Sequence, residues 1–139
     1  MTDDNAEALR LYVELAPRML VKCVCRDGLV LSKRDGIAGA TKCAFCRGTG
    51  KVTPLMETNE IGVPVPRLLR DSSYNEVVPL ALVMETAAAM GLAIELSYYK
   101  SGWEACCNES NKAEGKGTTP TLAVLRALKA ALDAREAGK

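Results

Sequence analysis

The sequence predicts an α+β fold in two parts. A small β-hairpin annex stapled through cysteines carries an N-terminal helix, and a helix, antiparallel β-hairpin, helix module follows it. Three observations carry that prediction. Two short cysteine pairs, Cys23-Val24-Cys25 and Cys43-Ala44-Phe45-Cys46, sit beside turn residues. Leu92, Ile94, Leu96 and Tyr98 alternate with Ala93, Glu95, Ser97 and Tyr99, and Trp103, Ala105 and Cys107 alternate with Glu104, Cys106 and Asn108, the period of half-buried strands. Leu122, Leu125, Leu128 and Leu132 recur at helical spacing.

Taken from the N-terminus, Leu9, Tyr12, Val13 and Ala16 fall at i, i+3, i+4 and i+7, which predicts a short amphipathic helix over residues 4–16 with Asp3 and Asp4 at its positive end. Pro17 ends or kinks it. Residues 22–30 and 42–52 then read as two copies of one unit, a knuckle followed by a strand, about twenty residues apart. After a knuckle the chain must turn so that backbone N–H groups face sulfur. Glycine supplies the positive φ that this needs, and Asp27 tolerates it in the first copy. Between the copies, residues 32–39 read as a basic, glycine-punctuated hairpin tip.

Zn²⁺ prefers thiolates in a tetrahedron, so Cys23, Cys25, Cys43 and Cys46 are candidate ligands of a single zinc ion, the alternative being coincidental buried thiols. A closed four-thiolate site is structural in character. Residues 21–55 hold few large apolar side chains, and such a site contributes on the order of 10 kcal/mol to folding.

Pro54, Pro64 and Pro66 predict an extended linker over residues 56–72. Ser73-Tyr74-Asn75-Glu76 matches a capping box and predicts a helix running to Met90, with Gly91 at C′ and Pro79 either bending it or marking its first turn. Lys100-Ser101-Gly102 is a turn between two strands, residues 109–118 a polar mobile loop, and Thr119-Pro120 the N-cap and N1 of a closing helix. The expected division is therefore residues 1–55, 56–72 and 73–139.

With 139 residues, 48% apolar and 25% charged, the chain has ordinary globular composition. Its acidic start leads into no apolar signal core and no stretch is long enough to span a membrane, so a cytosolic, reducing compartment is expected, where cysteines stay thiols. Histidine is absent, which excludes Ser-His-Asp and Cys-His catalysis and imidazole-ligated catalytic zinc, so a non-enzyme is expected. Net charge is +1, yet residues 21–55 carry seven basic and two acidic side chains. Lys33, Arg34, Lys42 and Arg47 belong to that excess and are candidate binding residues that could track phosphates or merely face solvent. Cys106 and Cys107 point to opposite faces of one strand, Cys107 toward a core shared with Trp103 and Cys106 outward as a candidate reactive thiol. Trp103, Tyr98 and Tyr99 suit either sheet core or base stacking, and the leucine stripe suits either core or a dimer seam, which leaves monomer and homodimer open.

Cys43-Ala44-Phe45-Cys46-Arg47-Gly48-Thr49-Gly50 resembles the Cys-x-x-Cys-x-Gly-x-Gly pattern of DnaJ-type zinc fingers, and the paired arrangement is similar to the finger of lambdoid phage late-gene antiterminators. The first copy has one spacer fewer and Asp27 in place of a glycine. Tyr74, Gly91-Leu92, Trp103 and Thr119-Pro120-Thr121-Leu122-Ala123 resemble the phage ABA sandwich domain over residues 72–139. Together these resemblances imply a zinc-binding phage or prophage accessory protein that binds and blocks a host protein or ribonucleoprotein complex, first of all a defence complex in the manner of anti-CRISPR proteins. The alternative they imply is a nucleic-acid-binding transcription regulator, antiterminator-like, that uses the basic hairpin.

Overall fold

Asp3–Leu15 form helix α1, and Ala16–Arg18 continue it as one 3-10 turn around Pro17. The computed structural model describes residues 3–23, 29–34, 37–42, 49–107 and 113–137, with the backbone alone at residues 3, 29–34 and 37–42. The buried face of α1 is Ala8, Tyr12, Leu15 and Ala16, so it is rotated from the expected stripe: Leu9 is half-buried and Val13 is 51% exposed. Tyr12 sets the rotation. Its hydroxyl donates to the carbonyls of Leu55 (3.3 Å) and Arg67 (2.5 Å), which pins the helix against the following segment.

Strand β1 (Val21–Lys22) pairs with β4 (Lys51–Val52), and β2 (Leu29–Arg34) pairs with β3 (Ile37–Lys42), both antiparallel. The segment over 56–72 is extended, as its prolines require, and it is also paired. Strands β5 (Met56–Thr58) and β6 (Pro64–Pro66) form one hairpin, and β7 (Leu69–Arg70) with β8 (Glu76–Val77) a second. Asn59 and Val63 bond at the head of the first, so by antiparallel alternation positions 64 and 66 face the open edge. Proline lacks an N–H to offer there, which blunts the edge against strand addition.

The two hairpin loops share one design. Asn59 Oδ1 accepts the N–H groups of Ile61 (3.1 Å) and Val63 (2.9 Å), and Asp71 Oδ1 accepts those of Ser73 (2.9 Å) and Asn75 (3.0 Å). The fourth residue of each loop is left-handed: Gly62 at φ +83° and Tyr74 at φ +61°. Glycine adopts that conformation freely, whereas an L side chain costs about 1–2 kcal/mol, partly offset by the extra entropy glycine loses. Since Tyr74 is 79% exposed, Tyr74→Gly is expected to stabilise the fold by about 0.5–1 kcal/mol, read as a higher midpoint in urea unfolding.

This second loop corrects the helix expected from Ser73. The residues of the apparent capping box lie in the β7–β8 hairpin, and helix α2 spans Leu80–Ala89, with Pro79 at its N-cap. A helix begun at Ser73 would put the Pro79 ring against the carbonyl of Asn75, while Asp71 already holds the Ser73 and Asn75 amides. The C-terminus of α2 follows expectation. Gly91 N–H donates to Ala88 O (3.0 Å) and Leu92 N–H to Ala87 O (2.8 Å), a Schellman pair closed by Gly91 at φ +82°.

Strands β9 (Ile94–Tyr99), β10 (Gly102–Cys107) and β11 (Ala113–Gly117) make a three-stranded antiparallel sheet in the order β11-β10-β9. The third strand occupies part of the expected mobile loop. Helix α3 (Pro120–Ala137) lies on this sheet, and α1 packs on the far side of α3. Sandwiched in this way, α3 buries Ala123, Val124, Ala127 and Ala131 as well as the four leucines. Pairs Glu7 with Arg126 (2.8 Å), Glu14 with Lys129 (3.1 Å) and Arg18 with Asp133 (2.9 Å) advance in the same direction, so α1 runs parallel to α3. Exposed pairs of this kind are worth about 0.2–1 kcal/mol each, and their main effect is register. The fold is thus α+β, with helices and small antiparallel sheets around one core.

Burial pushes the Tyr12 phenol from its ordinary 10.0 up to about 12, with Arg67 lowering it and Glu57 raising it. A folded value above the unfolded one stabilises the protein fully below pH 10, and that contribution is lost as pH rises through about 12. Tyr12→Phe is therefore expected to cost about 1–2 kcal/mol at neutral pH, because Arg67 O loses its donor, and to flatten the decline in stability above pH 10. Urea midpoints measured across that range check both effects.

Candidate functional site

Of the four cysteines expected to bind metal, Cys23 is described and Cys25, Cys43 and Cys46 lie outside the described residues, as does Arg47. Cys23 is 5% exposed, and its N–H donates to Gly50 O at 2.8 Å, extending the β1–β4 ladder past Lys22 and Lys51. On the other side, Leu29 pairs with Lys42 at the base of the β2–β3 ribbon. In the sequence, the three remaining candidate cysteines fall between these paired segments. A soft four-thiolate donor set at this spacing would suit Zn²⁺.

Beyond that junction β2 and β3 pair with each other alone, and neither joins another sheet among the described residues. Lys33 stands opposite Ala38 and Arg34 opposite Ile37 near the far end, and Lys42 opposite Leu29 at the base. Strand alternation puts positions 33 and 42 on one face of the ribbon and 34 on the other. Candidate basic positions thus fall on both faces.

A second group forms on the face of the large sheet opposite α3. Cys106 stands across from Glu95 on β9 and from Glu114 on β11, with Glu104 two residues away on the same face. One ligand atom each from Glu104, Cys106 and Glu114 lies within 4.8 Å of the others, so this group could hold a metal ion. Desolvation, then the charges of Glu114, Glu104 and Glu95, push the Cys106 thiol up. A shift in this direction makes the thiol harder to ionise. Cys107 is 2% exposed and belongs to the core, as its strand position predicts.

At the turn end of the sheet, a cavity of ≈ 700 Å³ opens among Asp4, Tyr99, Trp103, Glu104, Lys116 and Arg126. Sequence reasoning missed Glu104, Glu114 and Lys116. Their signal was present: Ala113, Gly115 and Gly117 alternate with Glu114 and Lys116, a period of two written in small residues. No helix among the described residues is long and apolar enough to cross a membrane.

No family model matches the chain, and no curated protein or solved structure does.

Proposed function

We propose that the chain is a non-catalytic, zinc-binding interaction protein of phage or prophage type, which presents a stapled basic β-ribbon to a host macromolecular machine and blocks it sterically. A bacterial defence complex of the CRISPR kind is the first target of this reading. The supporting observation is the ribbon itself: β2 and β3 pair only with each other among the described residues. Unshared ribbons with basic positions on both faces suit insertion into a partner. The test is a pull-down of the tagged full chain from host lysate at physiological salt, followed by cleavage assays on the recovered defence complex. Recovery together with lost cleavage supports the reading. Recovery of no such complex, or undiminished cleavage with the chain bound, overturns it.

The charge of the ribbon segment, seven basic against two acidic side chains, favours one second reading, a nucleic-acid-binding regulator. That activity would weaken steeply between low and physiological salt through counterion release, and neutralising Lys33, Arg34, Lys42 and Arg47 would abolish it. Salt-insensitive or absent binding to DNA and RNA removes this alternative.

A further inference from the structure

We propose that β9 is a dimerisation edge, which pairs antiparallel with β9 of a second copy of the chain and joins two three-stranded sheets into one. The leucine stripe of α3 is buried within the protein, so a dimer seam must lie elsewhere. β9 stands at one edge of its sheet, with β10 as its only neighbour among the described residues. The two-residue turn Lys100-Ser101 makes Tyr99 and Gly102 a pair that exchanges both backbone hydrogen bonds, and the pattern then alternates, so Ser97 and Glu95 also bond to β10. Ile94, Leu96 and Tyr98 turn their N–H and carbonyl groups the other way, to the free edge, where no other strand among the described residues meets them.

Exposed edges are normally blunted by proline, lysine or other charge. β6 places Pro64 and Pro66 at its open edge, and β11, the other edge of the large sheet, carries Glu114 and Lys116. β9 has neither proline nor lysine, and Glu95 is its single charge. Positions 94, 96 and 98 share a face with Ala105 and Cys107, the face on which α3 lies. Those two are buried, whereas Ile94 and Leu96 are half-buried and Tyr98 is 69% exposed, so the apolar face continues past the helix. The strand is also self-complementary, which selects a second copy over a foreign segment. Antiparallel pairing about a two-fold axis at Leu96 sets Leu96 against its counterpart and Ile94 against Tyr98. Every edge-facing backbone group of the three residues then finds a partner, and their side chains close one continuous apolar face. Glu95 stands across from Ser97 in this register, so no two carboxylates are directly opposed. Moving the register by two residues leaves an end of each strand unmatched.

One strand pair with its side chains is a small interface, so the dimer is a weak one. Sedimentation equilibrium of the full chain, with reductant present so that no disulfide links two copies, is expected to show monomer and dimer exchanging with a dissociation constant on the order of 1–100 μM. Hydrogen exchange followed residue by residue locates the seam. The Ile94, Leu96 and Tyr98 amides should slow about tenfold as the monomer fraction falls tenfold, since exchange proceeds from the unpaired strand. The Glu95, Ser97 and Tyr99 amides, already bonded to β10, should change little. Leu96→Lys opposes two ammonium groups at the axis and is expected to raise the dissociation constant about tenfold or more. Because Leu96 also packs on the core, Tyr98→Lys at an exposed position is the companion variant, expected to act in the same direction while the dilute protein keeps its circular dichroism spectrum. A monomer throughout that concentration range overturns the proposal and leaves the edge to an extended segment of another protein. A dimer that Tyr98→Lys leaves intact, or whose Ile94, Leu96 and Tyr98 amides exchange as in dilute protein, overturns it equally.

Discussion

Gly115→Ala is expected to destabilise the protein by about 3 kcal/mol or more, the upper end of the cost of overpacking. A Cβ at that position would meet Ala123 O and Ala127 N, each at 2.3 Å, and Arg126 Cβ at 2.8 Å. Two of these three atoms are helix backbone, so no side-chain rotation relieves the contact, and α3 would have to lift off β11. That movement would disturb the core, because α3 carries Leu122, Leu125, Leu128 and Leu132 into it. Gly117→Ala should cost less. Its nearest neighbours are Leu122 Cβ at 2.6 Å and Ala123 N at 3.1 Å, where the first turn of the helix has more freedom to shift. Urea unfolding gives the comparison through the midpoint at constant slope. A Gly115→Ala protein within about 0.5 kcal/mol of the parent would mean that strand and helix do not approach so closely.

The same contact shows what a linear reading of this chain can and cannot deliver. Helix α3, the β9–β10 hairpin and the glycine stop at Gly91 are local matters of period and capping, and each is visible in the residues that form it. Strand β11 is not. Glycine at positions 115 and 117 lowers intrinsic strand propensity, and the polarity of Glu114 and Lys116 suggests solvent, so the segment resembles a loop until α3 lies over it. There the absence of a side chain becomes the condition for close packing. The failed capping box at Ser73 has a different cause. Its two signature residues fit a helix start, but Asp71 two positions earlier and Pro79 further on both oppose that conformation, and neither belongs to the motif. The face of α1 was misjudged by about one residue because its amphipathic stripe is broad, and a tertiary bond from Tyr12 to the backbone of Leu55 and Arg67 selects the rotation. The two cysteine pairs stand out by spacing alone, although three of the four cysteines lie outside the described residues, whereas the Glu104, Cys106 and Glu114 group arises only when two strands are set in register.

Zinc removal is expected to act on the ribbon and leave the core folded, the second large effect. On the proposed reading, a four-thiolate site contributes on the order of 10 kcal/mol, comparable with the whole stability of about 5–15 kcal/mol typical of a domain. The burden falls on one region. Among the described side chains the core cluster contains Tyr12, Leu15, Met19, Leu55 and the buried face of α3, and Cys23 is not part of it. Chelation should therefore abolish amide protection in β2 and β3, measured by hydrogen exchange, while protection in α1 and α3 persists. Metal analysis of the purified protein is expected to give one zinc per chain, lost in Cys25→Ser, Cys43→Ser and Cys46→Ser and retained in Cys106→Ser. The last variant separates the two candidate metal groups. If Cys106→Ser empties the protein of metal and Cys43→Ser does not, the ion belongs to the open face of the sheet with Glu104 and Glu114, and the ribbon must hold its shape without it.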